Sequence, residues 1–143
     1  MGKRILIFDD DGAVLDVLQV LLDYEGFDVE IIERTDDLLS LVQLYQPSLI
    51  LIDFSLGGTN GGDWCTQLKK HPEFKAIPII IFTAYSNKGI EKGTYGCDDF
   101  IAKPFSMDTL LSRINLLINR ISETDLKNAK ESNGYGHQHY SAL

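Results

Sequence analysis

Basic residues are the scarce charge in this chain: 13 Lys and Arg stand against 21 Asp and Glu, a formal net charge of -8. A surface of that sign gains nothing from the phosphates of a nucleic acid or an anionic membrane, so direct binding to either is not expected. Cysteine is scarcer still. Cys65 and Cys97 are the only two, and the expectation is a pair of buried or half-buried thiols in a reducing compartment. No apolar run approaches membrane-spanning length. The N-terminus, MGKRILIFDDD, meets acids before a secretory signal could complete its apolar stretch, and Gly2 lacks the downstream Ser or Thr of a myristoylation site. These absences point to a cytoplasmic protein. What is present is 143 residues, 44% hydrophobic and 24% charged, enough for one globular domain with a core that needs no staples.

Short apolar runs alternate with amphipathic stretches. Residues 5–8 read as a buried strand, and 14–25 as a helix whose polar stripe is Asp16, Gln19 and Asp23, stopped at Gly26. A second strand over 27–32 precedes a helix capped by Thr35 or Asp36 and ended by Pro47. Residues 49–52 form a third apolar run that ends at Asp53. A glycine-rich loop, GGTNGG, leads to a short helix over 63–70 closed by Pro72. Pro78 opens a strand over 79–82 ending at Thr83. The stretch 85–95 is the weakest helix, because Gly89 and Gly93 each cost about 1 kcal/mol relative to alanine. A short strand over 100–102 ends at Lys103-Pro104. Ser106 caps a last helix with Leu110, Ile114, Leu117, Ile118 and Ile121 on one face. Residues 123–143 lose the apolar period and are expected to be a frayed or disordered polar tail; His137 and His139 there do not close a metal site by themselves. The fold class is therefore α/β: strand and helix alternate five times, which implies a doubly wound parallel sheet covered on both faces. Ligands of such sheets bind beyond the carboxyl ends of the strands.

Those ends carry the polar residues of interest. Strand one ends in Asp9-Asp10-Asp11, strand three in Asp53, strand four in Thr83 and strand five in Lys103. Each alone reads as a turn, a cap or an ordinary β-former; four converging on one sheet edge do not. Two like charges about 4 Å apart repel by roughly 4 kcal/mol at an effective dielectric near 20, so clustered carboxylates call for a counter-ion. Mg²⁺ suits them, because it takes one or two carboxylates and shares its other positions with water and phosphate oxygens. A lysine opposite supplies a point charge for a phosphoryl group. This is equipment for phosphoryl transfer.

Over about residues 3–122 the chain resembles a response-regulator receiver domain. The acid pair matches Asp9 and Asp10. The phosphoacceptor matches Asp53 in LILIDFSL. The hydroxyl residue and its small neighbour match Thr83 and Ala84 in IIIFTA, and the lysine matches Lys103 in DDFIAKPF. The resemblance implies a flavodoxin-like sheet of order 2-1-3-4-5, with a receiver over 1–122 and the tail beyond it. It implies that Asp53 accepts a phosphoryl group from a phosphohistidine on a histidine kinase or histidine phosphotransfer protein. It implies Mg²⁺ held by Asp9, Asp10, Asp53 and the backbone carbonyl of Ser55. Lys103 and Thr83 would bind the phosphoryl group, Phe100 would be the aromatic switch, and Lys103-Pro104 would be a cis peptide. Ser55 and Tyr85 fall where receivers vary the lifetime of the phosphate. The family's usual Met-Pro after the acceptor is Leu56-Gly57 here, and its Asp-Gly further on is Asn60-Gly61, which should loosen that loop.

A second likeness competes. IFDDDGAVLD resembles the first motif of haloacid-dehalogenase-like phosphatases, with Asp9 as nucleophile, Asp11 as acid/base, and Thr83 and Lys103 in later motifs. Ala13 stands where that family places threonine, no acidic motif follows Lys103, and Asp53 would have no role. A phosphate-independent, receiver-like binding module is the third reading, and the complete set of Asp9, Asp10, Asp53, Thr83 and Lys103 argues against it. The expectation is a stand-alone, non-enzymatic signalling domain. Its output would be a protein contact through the 85–122 face.

Overall fold

The computed structural model describes residues 2–56, 59–83 and 94–133. The chain divides into two compact units, 1–105 and 106–143.

In the first unit five parallel strands form one sheet. They are β1 (Arg4–Phe8), β2 (Asp28–Ile32), β3 (Leu49–Asp53), β4 (Ile79–Thr83) and β5 (Asp99–Ala102), in the order β2-β1-β3-β4-β5. This is the flavodoxin-like order 2-1-3-4-5. β1, β3 and β4 lie inside the sheet, which is why their sequences are continuously apolar instead of alternating. The chain steps from β1 outward to β2, then returns across β1 to β3 and onward. With right-handed crossovers, that reversal puts α1 (Gly12–Tyr24) on one face and both α2 (Leu38–Tyr45) and α3 (Gly61–Lys70) on the other.

The strand pleat divides the core accordingly. Leu6, Phe8, Ile50, Ile52, Ile79 and Ile81 meet Leu38 and Val42 of α2 and Cys65 and Leu68 of α3 in one buried cluster. Each such side chain contributes about 2 kcal/mol by leaving water. On the opposite side Ile5, Ile7, Leu49, Leu51, Ile80 and Phe82 are buried, as are Leu15, Leu18 and Leu22 of α1. Cys65 and Cys97 are buried and form no disulfide, as expected. Burial foremost, and Cys97 next, push the Cys65 thiol up to about 12, so it is not a thiolate nucleophile.

Helix boundaries moved by a few residues, each for a capping reason. α1 begins at Gly12 because the Asp11 carboxylate accepts the Val14 N–H at 3.4 Å. Gly26, with φ +91°, closes the helix as read from the sequence. The cap of α2 is Asp37, not Thr35 or Asp36: Asp37 Oδ1 accepts the Ser40 N–H at 3.1 Å and Oδ2 the Ser40 hydroxyl at 2.6 Å. Thr35 instead accepts the Asp37 N–H at 3.0 Å. α3 starts two residues earlier than expected, because Asn60 Oδ1 accepts the Gly62 N–H at 2.7 Å. Before it, Ser55–Leu56 pairs antiparallel with Thr59–Asn60 in a short ribbon the sequence did not announce.

Of the expected helix over 85–95, residues 85–93 lie outside the described residues. Thr94–Gly96 is a single 3₁₀ turn with Tyr95 at φ 60°. In the second unit α4 (Met107–Asn133) starts where expected, with Ser106 Oγ accepting the Thr109 N–H at 3.1 Å. It runs past residue 122, so 123–133 are helical backbone. Residues 134–143, with His137 and His139, lie outside the described residues.

Candidate functional site

The register of the sheet assembles the site. Phe8 is level with Ile52, which places Asp9 beside Asp53. Asp53 is level with Phe82, and Thr83 with Ala102, which places Lys103 one step beyond Thr83. Backbone hydrogen bonds continue each ladder past the strand ends. Asp9 N–H donates to the Ile32 carbonyl at 3.3 Å, Phe54 N–H to Phe82 at 2.7 Å, and Lys103 N–H to Thr83 at 2.7 Å.

Asp9, Asp10 and Asp53 each bring a carboxylate oxygen into one group in which all lie within 4.8 Å of one another. Asp9 is fully buried, Asp53 is 7% exposed, and Asp10 opens to solvent. Asp9 is pinned from two sides: Oδ1 accepts the Asp11 N–H at 3.0 Å, and Oδ2 accepts Lys103 Nζ at 2.8 Å. Lys103 Nζ also stands 3.8 Å from Asp53 Oδ1. Among the described residues one ammonium therefore serves a cluster of three carboxylates. Beneath it lies the Phe82 ring, 5.8 Å from Nζ to the ring centroid, stacked in turn on Phe105 at 5.0 Å. The Lys103-Pro104 peptide is cis.

Burial first, and the neighbouring Asp9 second, push the Asp53 carboxyl up to about 6. Lys103 and a backbone hydrogen bond from Ser55 work the other way, and Asp10 adds to the rise. A buried carboxyl whose charge is resisted by two other acids is a place for a hard divalent cation with oxygen ligands. The donor set fits Mg²⁺, with Asp10 as the solvent-facing member.

Thr83 is 7% exposed at the end of β4. Phe100 is half-buried and packs on the α2/α3 side of the core, its N–H donating to Asp99 Oδ1 at 2.9 Å. Ser55 sits in the ribbon opposite Asn60, two residues past Asp53. Ala84 and Tyr85 lie outside the described residues. Asp11, the acid/base of the phosphatase reading, is the cap of α1.

Sequence reasoning missed several supports of the site. A Cβ on Gly61 would collide with the Asp53 carbonyl and press within 2.7 Å of Ile52 Cγ2, so α3 approaches the end of β3 closer than any other residue allows. The Asn60-Gly61 pair was legible only as a turn. Trp64, the single tryptophan, packs on Phe8 with centroids 6.3 Å apart. Its Nε1 is the one buried side-chain polar atom without a partner among the described residues.

Comparison with known proteins agrees with this geometry. A family model described as the response regulator receiver domain matches residues 5–115. The DNA-binding response regulator MtrA of Mycolicibacterium paratuberculosis is 34% identical over 125 residues, which cover 84% of this chain and 53% of that protein. The chain spans about half the length of the curated relatives it matches. The crystal structure of a CheY-like receiver domain protein from Methanospirillum hungatei superposes with a TM-score of 0.78 at 28% identity, covering 87% of this chain and 99% of that one. The receiver domain of the sensor histidine kinase PA1611 from Pseudomonas aeruginosa, crystallised with magnesium in its active-site cleft, shares the fold with a TM-score of 0.74. It is 22% identical and covers 83% of this chain and 99% of its own. With the five-stranded order, the acid cluster at the carboxyl edge and a family match over most of its length, the chain belongs to the response regulator receiver domains of two-component signalling.

Proposed function

We propose that this protein is a phosphoacceptor switch: Asp53 takes a phosphoryl group from a phosphohistidine of a histidine kinase or histidine phosphotransfer protein. The observation that carries the reading is the buried Asp53 carboxylate set against Asp9, Asp10 and Lys103. In the reaction an Asp53 oxygen attacks phosphorus, the P–N bond to the donor imidazole breaks, and an aspartyl phosphate forms. Mg²⁺ would be held by the carboxylates of Asp9, Asp10 and Asp53 and the Ser55 carbonyl, and would supply charge neutralisation for the phosphoryl oxygens. Lys103 binds one of those oxygens as a point charge. Its flexible stem and its place between Asp9 and Asp53 support that role. The Thr83 hydroxyl donates to another oxygen, with Ala84 beside it leaving room, and Phe100 packs deeper into the space Thr83 leaves.

Ser55 and Tyr85 then set how readily water reaches the acyl phosphate. The protein is not an enzyme with a separate substrate; its only catalysis is on itself, in taking and losing the phosphate. Residues 85–122, which follow Thr83, carry the output to a protein target, and a net charge of -8 disfavours a direct nucleic-acid contact by these 143 residues themselves. No helix of the described residues is long and apolar enough to cross a membrane, and the proposed setting is the cytoplasm, beside the kinase. The receiver is assigned to 1–122.

The test is labelling by acetyl phosphate with and without Mg²⁺, with the modified residue mapped by mass spectrometry. The expected outcome is Mg²⁺-dependent label on Asp53. Label on Asp9 would establish the phosphatase reading instead, and no uptake would favour a phosphate-independent module.

A further inference from the structure

One aromatic residue outside the expected site touches both ends of the loop that follows Asp53. The Phe54 ring, directly after the acceptor, lies against Tyr95 with centroids 5.9 Å apart and planes inclined by 51°. The other edge of Tyr95 rests on the first turn of α3. A Cβ at Gly62 would stand 2.8 Å from both Cδ2 and Cε2 of the ring, so only glycine leaves it room. Phe54 and α3 are themselves joined, since the Gly61 N–H donates to the Phe54 carbonyl at 2.8 Å. Tyr95 reaches this position with a left-handed backbone, φ 60° and ψ 7°, which is unfavourable for a residue with a side chain. Between the two ends Ser55–Leu56 pairs antiparallel with Thr59–Asn60.

We propose that Tyr95 is a positioning residue for the phosphoacceptor. Its ring clasps Phe54 and the Gly61-Gly62 turn together and so fixes the direction in which Asp53 presents its carboxylate. The proposal rests on the reading of Asp53 as the acceptor. Tyr95 touches no reacting atom; it acts through Phe54 and the start of α3. Aromatic pairs in this tilted arrangement hold each other beyond simple burial, and displacing a reacting group by about 1 Å slows a reaction by up to ~100-fold.

The experiment measures initial rates of acetyl phosphate labelling at saturating Mg²⁺, well below each protein's melting temperature. It compares wild type, Tyr95→Ala, Tyr95→Phe, Gly62→Ala and the Gly62→Ala/Tyr95→Ala pair. Tyr95→Ala is expected to slow labelling by ~10-fold or more, and Tyr95→Phe, which keeps the ring, to stay within about 2-fold of wild type. Gly62→Ala is expected to slow labelling as well, although alanine is the better helix former, because its methyl group displaces the ring. The pair is expected to lose less than the product of the two single losses, since both break the contact of the ring with α3, while the Gly62→Ala methyl also meets Asn60 Oδ1 at 2.9 Å. A wild-type rate in folded Tyr95→Ala overturns the clasp, as does a double variant in which the two losses multiply. Should Tyr95→Ala fail to fold, a wild-type rate in Gly62→Ala overturns it. A wild type that takes no label at all overturns the acceptor reading, and this role of Tyr95 with it.

Discussion

Two lysine–aspartate pairs of nearly equal length sit at opposite edges of the sheet. At the amino edge Lys69 Nζ lies 2.7 Å from Asp98 Oδ2, and at the carboxyl edge Lys103 Nζ lies 2.8 Å from Asp9 Oδ2. Distance does not separate them, and neither does burial of the lysines, at 16% and 13% exposed. Their surroundings do. Lys69 also donates to the carbonyls of Ile77 at 2.8 Å and Lys75 at 3.3 Å, and Asp98 accepts the Ile79 N–H at 2.8 Å. One ammonium there faces one carboxylate, and the pair ties the end of α3 to the starts of β4 and β5. Lys103 instead answers to Asp9 and Asp53 with Asp10 beside them, and burial first, then the neighbouring acids, raise the pKa of Asp53. A structural ion pair closes its own account; a functional one leaves a charge for something else to neutralise.

Lys103→Ala and Lys69→Ala break the comparison most sharply. Lys103→Ala should slow acetyl phosphate labelling of Asp53 by ~100-fold, the scale of losing one charged stabiliser of a transition state, while Lys69→Ala leaves the labelling rate within about 3-fold. Thermal or urea unfolding should show the reverse emphasis for Lys69. Removing it takes the ammonium from Asp98, which keeps the Ile79 N–H, and should cost about 1–2 kcal/mol.

Titration sharpens the contrast. With a chelator present, the folded Asp53 carboxyl, with its pKa near 6, holds a proton that the unfolded chain has released near pH 4. Folding stability contributed by this group is therefore full below about pH 4 and falls as pH rises toward and past 6. Asp53→Asn should remove that slope and exceed wild type in stability by about 2 kcal/mol at pH 7, with no advantage at pH 4. Urea midpoints across pH 4–8 measure it, and an equal wild-type-to-variant difference at both ends would contradict it.

The smallest effect is the ion's own. Mg²⁺ at about ten times its dissociation constant should stabilise wild type by ~1.4 kcal/mol, and Asp9→Asn should lose that response. Lys69→Ala should keep it. The single Trp64, packed on Phe8 one residue before Asp9, offers a fluorescence readout of the same titration.

Much of the site was legible because it lies where a linear pattern changes. Asp9, Asp53, Thr83 and Lys103 each mark the point at which an apolar run stops, and a parallel sheet sends all such points to one edge. The exact helix caps were less legible. Thr35, Asp36 and Asp37 are all competent caps, and only the position of the Ser40 N–H selects Asp37. The continuation of α4 past residue 122 was missed, because periodicity reports an apolar face and not helical backbone. Gly61, Gly62, Lys69 and Tyr95 were not legible as supports. Their roles depend on contacts between elements far apart in the chain, and no local pattern encodes such a distance.

The sequence by itself determined the fold class, the order of the chemistry along the chain and the sign of the site's charge, since periodicity and residue type are local properties. Only the tertiary structure decided which charges are balanced. The same Lys–Asp chemistry is a staple at one edge and an unsatisfied cluster at the other, because strand register sets how many carboxylates each ammonium meets.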